Sequence, residues 1–377
     1  MKANWRIGLA FAGAAASAAA FAVLWPHARD AGTLLLAQDD PVALSDMQIN
    51  SALRNNPSAI GQNVDEALKA NDADLAKSFT DLAKDKDAPV AADVATKVDA
   101  AVAEESSTST TARRFAKGLI TGEADDIASL SGTVTGDLFV FGDIRDVIRE
   151  GKRLVMGEEA DRLVLGLATV GLAVTAATYV SVGGAVPVRA GLTMVKDARK
   201  VGRLGAGLTE WAGRSARGVV DAPMLQNAVA TASLARPGQT ISAVKAAFKA
   251  EKAGALVRLA KDVGRVGEKA GTKGALDVLR IADGPADVAR AARLAESKGS
   301  QTRAIIKVLG RGALLLAAGA FNLAWWVFAA CLALLGFLAS IKSTTERLTH
   351  SYFQRKKLKR ARRELALAQA QNSMLAA

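Results

Sequence analysis

The segment ALLLAAGAFNLAWWVFAACLALLGFLASI, residues 313–341, decides how this chain folds. It contains no charged residue and lies between Arg311 and Lys342. A helix needs roughly 20 mainly apolar residues to cross the hydrocarbon core of a bilayer. The pattern therefore predicts a transmembrane or membrane-embedded helix over 313–341, and the alternative is the central helix of a soluble bundle. Trp325 and Trp326 reach an interface if the span is shortened to residues 323–341.

Two further apolar runs have the length of a membrane span. Ile7–Trp25 follows Lys2 and Arg6, so residues 1–25 are expected to form an N-terminal signal-anchor and transmembrane helix. A cleaved secretory signal is the alternative there. Residues 163–188 combine apolar side chains with glycines, and they predict a transmembrane or re-entrant helix in which small residues allow close packing in lipid.

The charge of the chain is divided between its two halves. Residues 26–162 carry 15 basic and 25 acidic side chains, whereas residues 189–312 carry 23 basic and 10 acidic ones. The C-terminal tail, residues 342–377, carries 9 basic and 2 acidic side chains. An acidic front half and a basic back half suggest two different surroundings.

The fold class predicted from these patterns is all-α, a membrane protein with two or three transmembrane helices plus helical extramembrane regions. Apolar residues recur at helical spacing, and long alternating β-branched runs are absent from the sequence. The expected regions outside the three runs are an acidic helical region (26–105), a polar linker (106–111), a helical region leading to the membrane (112–162), a basic helical region (189–312) and a basic tail (342–377).

The orientation predicted from positive residues is inconsistent along the chain. Lys2 and Arg6 favour a cytoplasmic N-terminus, which makes residues 26–162 extracytoplasmic. The tail sequence RKKLKRARR at 355–363 also favours the cytoplasm. Three full crossings would put the tail outside, so one of the later runs is expected not to cross fully, and which one stays open.

Residue types that usually carry catalysis or bind metals are few. Cys331 is the only cysteine, and His27 and His350 are the only histidines. The sequence GRVGEKAGTKG at 264–274 lacks the G-x4-G-K-[ST] spacing of a phosphate-binding loop, and it reads as a flexible loop. We therefore expect no cofactor, no metal site and no enzymatic activity.

Three segments carry a resemblance to known proteins. GDLFVFGDIRD, GEEADRLVLGLATVGLAVTAATY and TRAIIKVLGRG followed by FNLAWWVF resemble a set of uncharacterised proteobacterial integral membrane proteins. No activity is attached to that set. The resemblance implies a setting in the bacterial inner membrane.

The basic segments predict contacts with membrane lipids, anionic ones in particular, or with a protein partner, which includes a second copy of the chain. Nucleic acid is disfavoured, because the basic region 189–312 has few aromatic side chains for base stacking. The residues expected to bind lipid or an acidic partner are Lys245, Lys249, Lys252, Arg355, Lys356, Lys357, Lys359 and Arg360.

The function predicted from the sequence is that of a non-enzymatic integral inner-membrane protein, a scaffold or a lipid- or partner-binding protein that uses basic amphipathic helices. The alternative is a pore or channel former in which residues 163–188 and 313–341 insert as a pair.

Overall fold

A computed structural model describes residues 2–105, 133–178, 186–232, 236–315 and 320–375 of the chain. The expected linker at 106–111 lies outside these ranges. The described residues form helices and an isolated antiparallel bridge between Val220 and Phe248, which confirms the all-helical class. The chain divides into a terminal unit, Met1–Ala37 with Leu316–Ala377, and a central unit, Gln38–Leu315.

The terminal unit pairs the two ends of the chain. It contains α1 (Lys2–Leu36) and a helix of 56 residues, which we number α15 (Ala320–Leu375). At 1.5 Å per residue these helices are about 52 and 84 Å long. The basic tail is thus a direct continuation of the apolar helix.

Helices α1 and α15 are antiparallel and in contact. A Cβ placed on Gly336 would lie 3.5 Å from Ser17 Oγ, and one placed on Gly13 would lie 3.8 Å from Ser340 Oγ. The rings of His27 and Trp326 stack with centroids 5.0 Å apart. In each pair the residue numbers add to 353, which defines the register. Small residues at these contacts let the two backbones approach closely, as in membrane helix pairs.

Many of the large apolar side chains described in the terminal unit are exposed, among them Trp25, Phe328 and Leu335. Helices α1 and α15 are long and apolar enough to cross a membrane, over Phe11–Leu36 and within Ala324–Glu364, and their most apolar windows have mean hydropathies of 1.3 and 2.1. Only 6% of the residues in each window are buried. A helix in the core of a soluble bundle would be covered instead. Two candidate membrane-spanning helices are therefore present in the part of the chain that the structure describes.

The central unit is built from short helices and one long one. Their bounds are α2 (Pro41–Asn55), α3 (Ala59–Lys69), α4 (Ala73–Asp85), α5 (Ala92–Glu105), α6 (Thr133–Val155), α7 (Arg162–Thr178), α8 (Val186–Lys200), α9 (Ala206–Val219), α10 (Ala222–Thr231), α11 (Pro237–Ala246), α12 (Ala250–Ile281), α13 (Pro285–Lys298) and α14 (Thr302–Leu309), with 3₁₀ turns at Gly299–Gln301 and Gly310–Ala313.

Helix α12 organises the core of the central unit. Helix α8 lies along it, and α9, α13 and α14 also pack against it. The backbones of α8 and α12 approach so closely that a Cβ on Gly191 or Gly264 would collide with a backbone carbonyl of the other helix. The segment 264–274, expected to be a loop, lies within α12, where Gly271 at φ +77° forms a kink. Leucines, alanines and valines along α12 form its buried face, and Val266 is the member of that face within the segment.

The run 163–188 differs from the prediction of a membrane or re-entrant helix. Its described residues belong to α7 and α8, and α7 is surrounded by α6, α8, α9 and α11. The side chains from Leu163 to Ala173 that carry its hydrophobicity are buried in the central unit. The described part of α7 is 17 residues long, and residues 179–185 of the run lie outside the described ranges. Its glycines serve packing inside the protein: a Cβ on Gly166 would lie 2.6 Å from that of Ala216 in α9.

Helix boundaries follow the capping residues in the sequence. Asp72 is the capping residue of α4, and its Oδ1 accepts a bond from the backbone N–H of Leu75 at 3.3 Å. Pro285 lies in the first turn of α13, and Gly299, at φ +53°, ends it.

The register of the terminal unit can be tested by cross-linking. In a Cys331→Ser background, Ser17→Cys combined with Gly336→Cys should form a disulfide on mild oxidation, because in-register Cβ atoms fall within reach of the roughly 3.5–4.5 Å that a disulfide needs. Mass spectrometry of the linked peptides measures the yield. The control pair Val23→Cys with Gly336→Cys is displaced by about 9 Å along the axis. Equal yields from the two pairs would contradict the register.

Candidate functional site

The predicted basic residues of the tail lie together on α15. Every described side chain from Tyr352 to Glu364 is exposed. The set comprises Arg355, Lys356, Lys357, Lys359 and Arg360, and Arg362 and Arg363 extend it. The helix thus presents a continuous cationic surface to its surroundings.

The three predicted lysines of the central unit do not share one helix. Lys245 is in the last turn of α11, Lys249 lies in the connection, and Lys252 is in the first turn of α12. The chain breaks here because the backbone N–H of Lys249 donates to the carbonyl of Val219 at 2.8 Å, beside the Val220–Phe248 bridge. Lys245 and Lys252 are exposed, but Lys249 Nζ pairs with a carboxylate oxygen of Asp221 at 3.1 Å. The three lysines therefore occupy separate positions at the end of α11, in the connection and at the start of α12.

The acidic and basic halves meet at a buried arginine. Arg303 in α14 donates two bonds to the carboxylate of Asp72, both 2.7 Å long, and its Nε donates to Asp277 at 3.0 Å. The Arg303 side chain is only 7% exposed. Two parallel bonds between a guanidinium and a carboxylate are strong and directional. This cluster ties α4 to α12 and α14, so the two halves share one folded unit rather than two surroundings.

Further pairs extend the junction between the halves. Lys273 Nζ lies 3.3 Å from Asp72 and 3.1 Å from Glu105. Lys86 and Lys298 both reach Asp46, at 2.7 and 2.8 Å. The contacts of Lys273 and Lys298 join side chains that are more than 150 positions apart in the sequence.

The charge state of Asp72 follows from these partners. Burial by itself raises the pKa of Asp72, but the bonds and charge of Arg303 and the charge of Lys273 outweigh it and lower that pKa to about 2. The folded pKa is below the ordinary value of 3.8, so this pair stabilises the fold above about pH 4. The contribution is lost as the pH falls towards 2.

Removing Arg303 should open the junction. Arg303→Ala removes the buried guanidinium and leaves Asp72 and Asp277 only the more exposed Lys273 and Arg280 as counter-charges, so the expected loss in free energy of unfolding is about 3 kcal/mol. Arg303→Lys keeps the charge but loses the paired geometry, so its loss should be intermediate. Hydrogen–deuterium exchange of α4 and α14 in the full chain in detergent measures the effect. The control is Arg293→Ala, at an exposed position of α13, and an equal effect there would contradict a special role for Arg303.

A second buried charge cluster joins α6 to α8. Lys196 Nζ donates to Asp143 Oδ1 and lies 3.4 Å from Asp146 Oδ2, while Lys200 Nζ lies 3.0 Å from Asp146. Asp143 sits over Gly171 of α7, where a Cβ would collide with its carboxylate. Glycine at this position makes room for the charged pair inside the unit.

Burial and pairing act on the carboxylates of this cluster in opposite directions. Burial raises the pKa of Asp143, whereas Lys196 and Lys200 overcome the effect of burial and lower the pKa of Asp146. Burial also opposes ionisation of Lys196, yet the neighbouring aspartates raise its pKa. Lys196 is thus held as a cation between one ionised aspartate and one that resists ionisation.

Asp197, next in sequence to Lys196, is the poorly compensated member of the cluster. Burial raises its pKa to about 6, although Lys200 and Lys196 oppose the shift and Asp146 adds to it. Its folded pKa exceeds the ordinary value of 3.8, so the folded state binds more protons between pH 4 and 6, and stability falls as pH rises through that range. At pH 7 the ionised side chain destabilises the fold.

Asp197→Asn should therefore stabilise the central unit at pH 7, by about 1 kcal/mol once the partial solvent screening of the side chain is allowed for. It should also flatten the dependence of α6 and α8 protection on pH between 4 and 6. Hydrogen–deuterium exchange of the full chain at several pH values measures both effects. Asp221→Asn, in a partly exposed pair with Lys249, is the control. A variant that is less stable than the natural chain at pH 7 would contradict the assignment.

Sequence reasoning missed both clusters. No role in a buried ion pair is predicted from the sequence for Asp72, Arg303, Asp143 or Lys196. The signal available in the sequence was the opposite net charge of the two halves, because opposite charges can attract one another within one folded unit. Within the described ranges, no three His, Cys, Asp or Glu side chains are arranged to hold a metal ion.

Comparison of the chain with protein-family models, with curated proteins and with solved structures gives no match, so the resemblance to proteobacterial membrane proteins stays a prediction.

Proposed function

We propose that this chain is a non-enzymatic inner-membrane protein with two membrane-spanning helices, α1 and α15. It acts as a scaffold that holds the helical central unit on the extracytoplasmic side and the basic end of α15 in the cytoplasm. The observation that carries the proposal is the antiparallel pairing of α1 with α15, with large apolar side chains exposed on both helices.

The register of α1 against α15 supports the proposed orientation of the chain in the membrane. Pairs adding to 353 place Lys2 and Arg6 of α1 level with residues 351 and 347 of α15, so the basic residues of both termini fall at one end of the pair. Positive residues beside spans favour the cytoplasm. With α7 inside the central unit, two crossings bring the N-terminus and the tail to the same side, and the earlier conflict in orientation disappears.

The aromatic side chains at the opposite end of the helix pair support the same position of the two helices in the bilayer. Trp25, His27 and Trp326 lie at one level of the pair, and Trp325 and Phe328 are within a turn of it, with rings 5.9 Å apart. Tryptophans concentrate where a span meets the headgroups. This placement favours a span that begins near Ala324, the shorter of the two considered for α15.

The pore alternative has no comparable support. It needs residues 163–188 in lipid beside 313–341, whereas the side chains of α7 pack against α6, α9 and α11. Insertion would expose the buried Asp143 and Lys196 next to α7. The scaffold proposal leaves these contacts intact.

The orientation is tested by labelling single cysteines in the full chain. In a Cys331→Ser background, Lys69→Cys in the acidic half and Lys245→Cys in the basic half should both react with a membrane-impermeant maleimide in spheroplasts. Lys356→Cys should react only after lysis. All three positions are exposed, so a permeant maleimide serves as the control. Labelling of Lys69→Cys and Lys245→Cys on opposite sides would overturn the two-span proposal.

A further inference from the structure

Helix α15 continues past the first described residue of its partner. The register places Lys2, the first described residue of α1, level with residue 351, and α15 runs on to Leu375. Among the described residues, none of α1 lies level with Tyr352 or beyond it. We call residues 352–364, whose side chains are described, the basic extension.

The basic extension begins one bilayer thickness from the tryptophans. Trp326 and Tyr352 are 26 helical residues apart, about 39 Å along the axis, and a bilayer with its headgroups is about 40–45 Å thick. Tyr352 and Phe353 are 63% and 55% exposed, and their rings meet edge to face with centroids 5.9 Å apart. An exposed aromatic pair at this distance matches the second interface of the same span.

The basic side chains of the extension cover most of the helix surface but leave one face without positive charge. Seven basic side chains occur between Arg355 and Arg363, and Glu364 is the only acidic one in the extension. At 3.6 residues per turn the seven spread over roughly 220°. The remaining 140° holds Gln354, Leu358 and Ala361, of which Leu358 is 59% exposed.

We propose that the basic extension binds the headgroups of anionic phospholipids in the leaflet where α15 emerges. The inference rests on the proposed function, in which α15 crosses the membrane. A cluster of lysines and arginines directly after a span is held at the anionic surface by the span itself. The face with Leu358 and Ala361 can rest at the acyl boundary while the long basic side chains reach the headgroups.

Nucleic acid is the competing polyanion. Its single strands stack on aromatic side chains interleaved with the charges, and the stretch 354–364 contains none. The two aromatic residues of the extension precede the charges at the level of the interface instead. The arrangement therefore favours lipid.

A fluorescent label on the free face tests the inference. The full chain with Cys331→Ser and Leu358→Cys is labelled with an environment-sensitive dye and reconstituted in nanodiscs of zwitterionic lipid, with or without about 30% phosphatidylglycerol. Binding should shift the emission to shorter wavelength only in the anionic discs. Raising the salt from about 0.1 to 1 M shortens the Debye length from about 10 to 3 Å and should reverse the shift.

Two variants with the same change in net charge separate local binding from overall charge. Replacing Arg355, Lys356, Lys357, Lys359 and Arg360 by glutamine should abolish the shift. Replacing Lys69, Lys84, Lys152, Lys261 and Lys307, which are exposed in the central unit, should leave it unchanged. Equal emission in both lipids, or a shift that survives the first set of substitutions, would overturn the inference. So would a single-stranded oligonucleotide that shifts the emission in zwitterionic discs as much as anionic lipid does.

The test is independent of orientation in the cell. Both leaflets of the nanodisc have the same composition, so a tail on either side meets the same lipid. If the emission does not shift but the maleimide labelling is as expected, the scaffold proposal stands and the lipid inference falls. If the emission shifts but the labelling is reversed, only the orientation is overturned.

Discussion

The bonds from Arg303 to Asp72 and Asp277 hold the central unit together as one body. A guanidinium buried between two carboxylates stabilises only when all partners are present, because each charge has lost its water. Asp72 caps α4, near the start of the unit, while Arg303 lies in α14, at its end. The acidic and basic halves are therefore bound to each other, and their opposite charges stabilise the fold.

Within the central unit, the position of α7 is fixed by its packing. It lies against α6, α8, α9 and α11, and its side chains from Leu163 to Ala173 are buried. A membrane crossing at 163–188 would have to pull α7 out from among these neighbours, whereas the proposed crossings by α1 and α15 leave that packing intact.

Helices α7 and α15 show why composition alone could not separate the two environments. Both have long apolar runs, since lipid and protein interiors exclude water for the same reason. They differ in what surrounds them: α7 packs against other helices, and α15 exposes Leu332, Leu335 and Leu338. The distinction depends on neighbours that are distant in sequence.

The sequence by itself determined the helical class, the capped ends of α4 and α13, the apolar helices at both termini and the basic surface of the tail. These features depend on local periodicity, on capping side chains and on the composition of about 20 consecutive residues. Only the tertiary structure decided that α7 is a core helix, that Lys245, Lys249 and Lys252 are separated, and that Arg303 and Lys196 find buried partners. Those outcomes depend on pairing across 50 to more than 200 residues, and no local pattern encodes which opposite charge a side chain will meet.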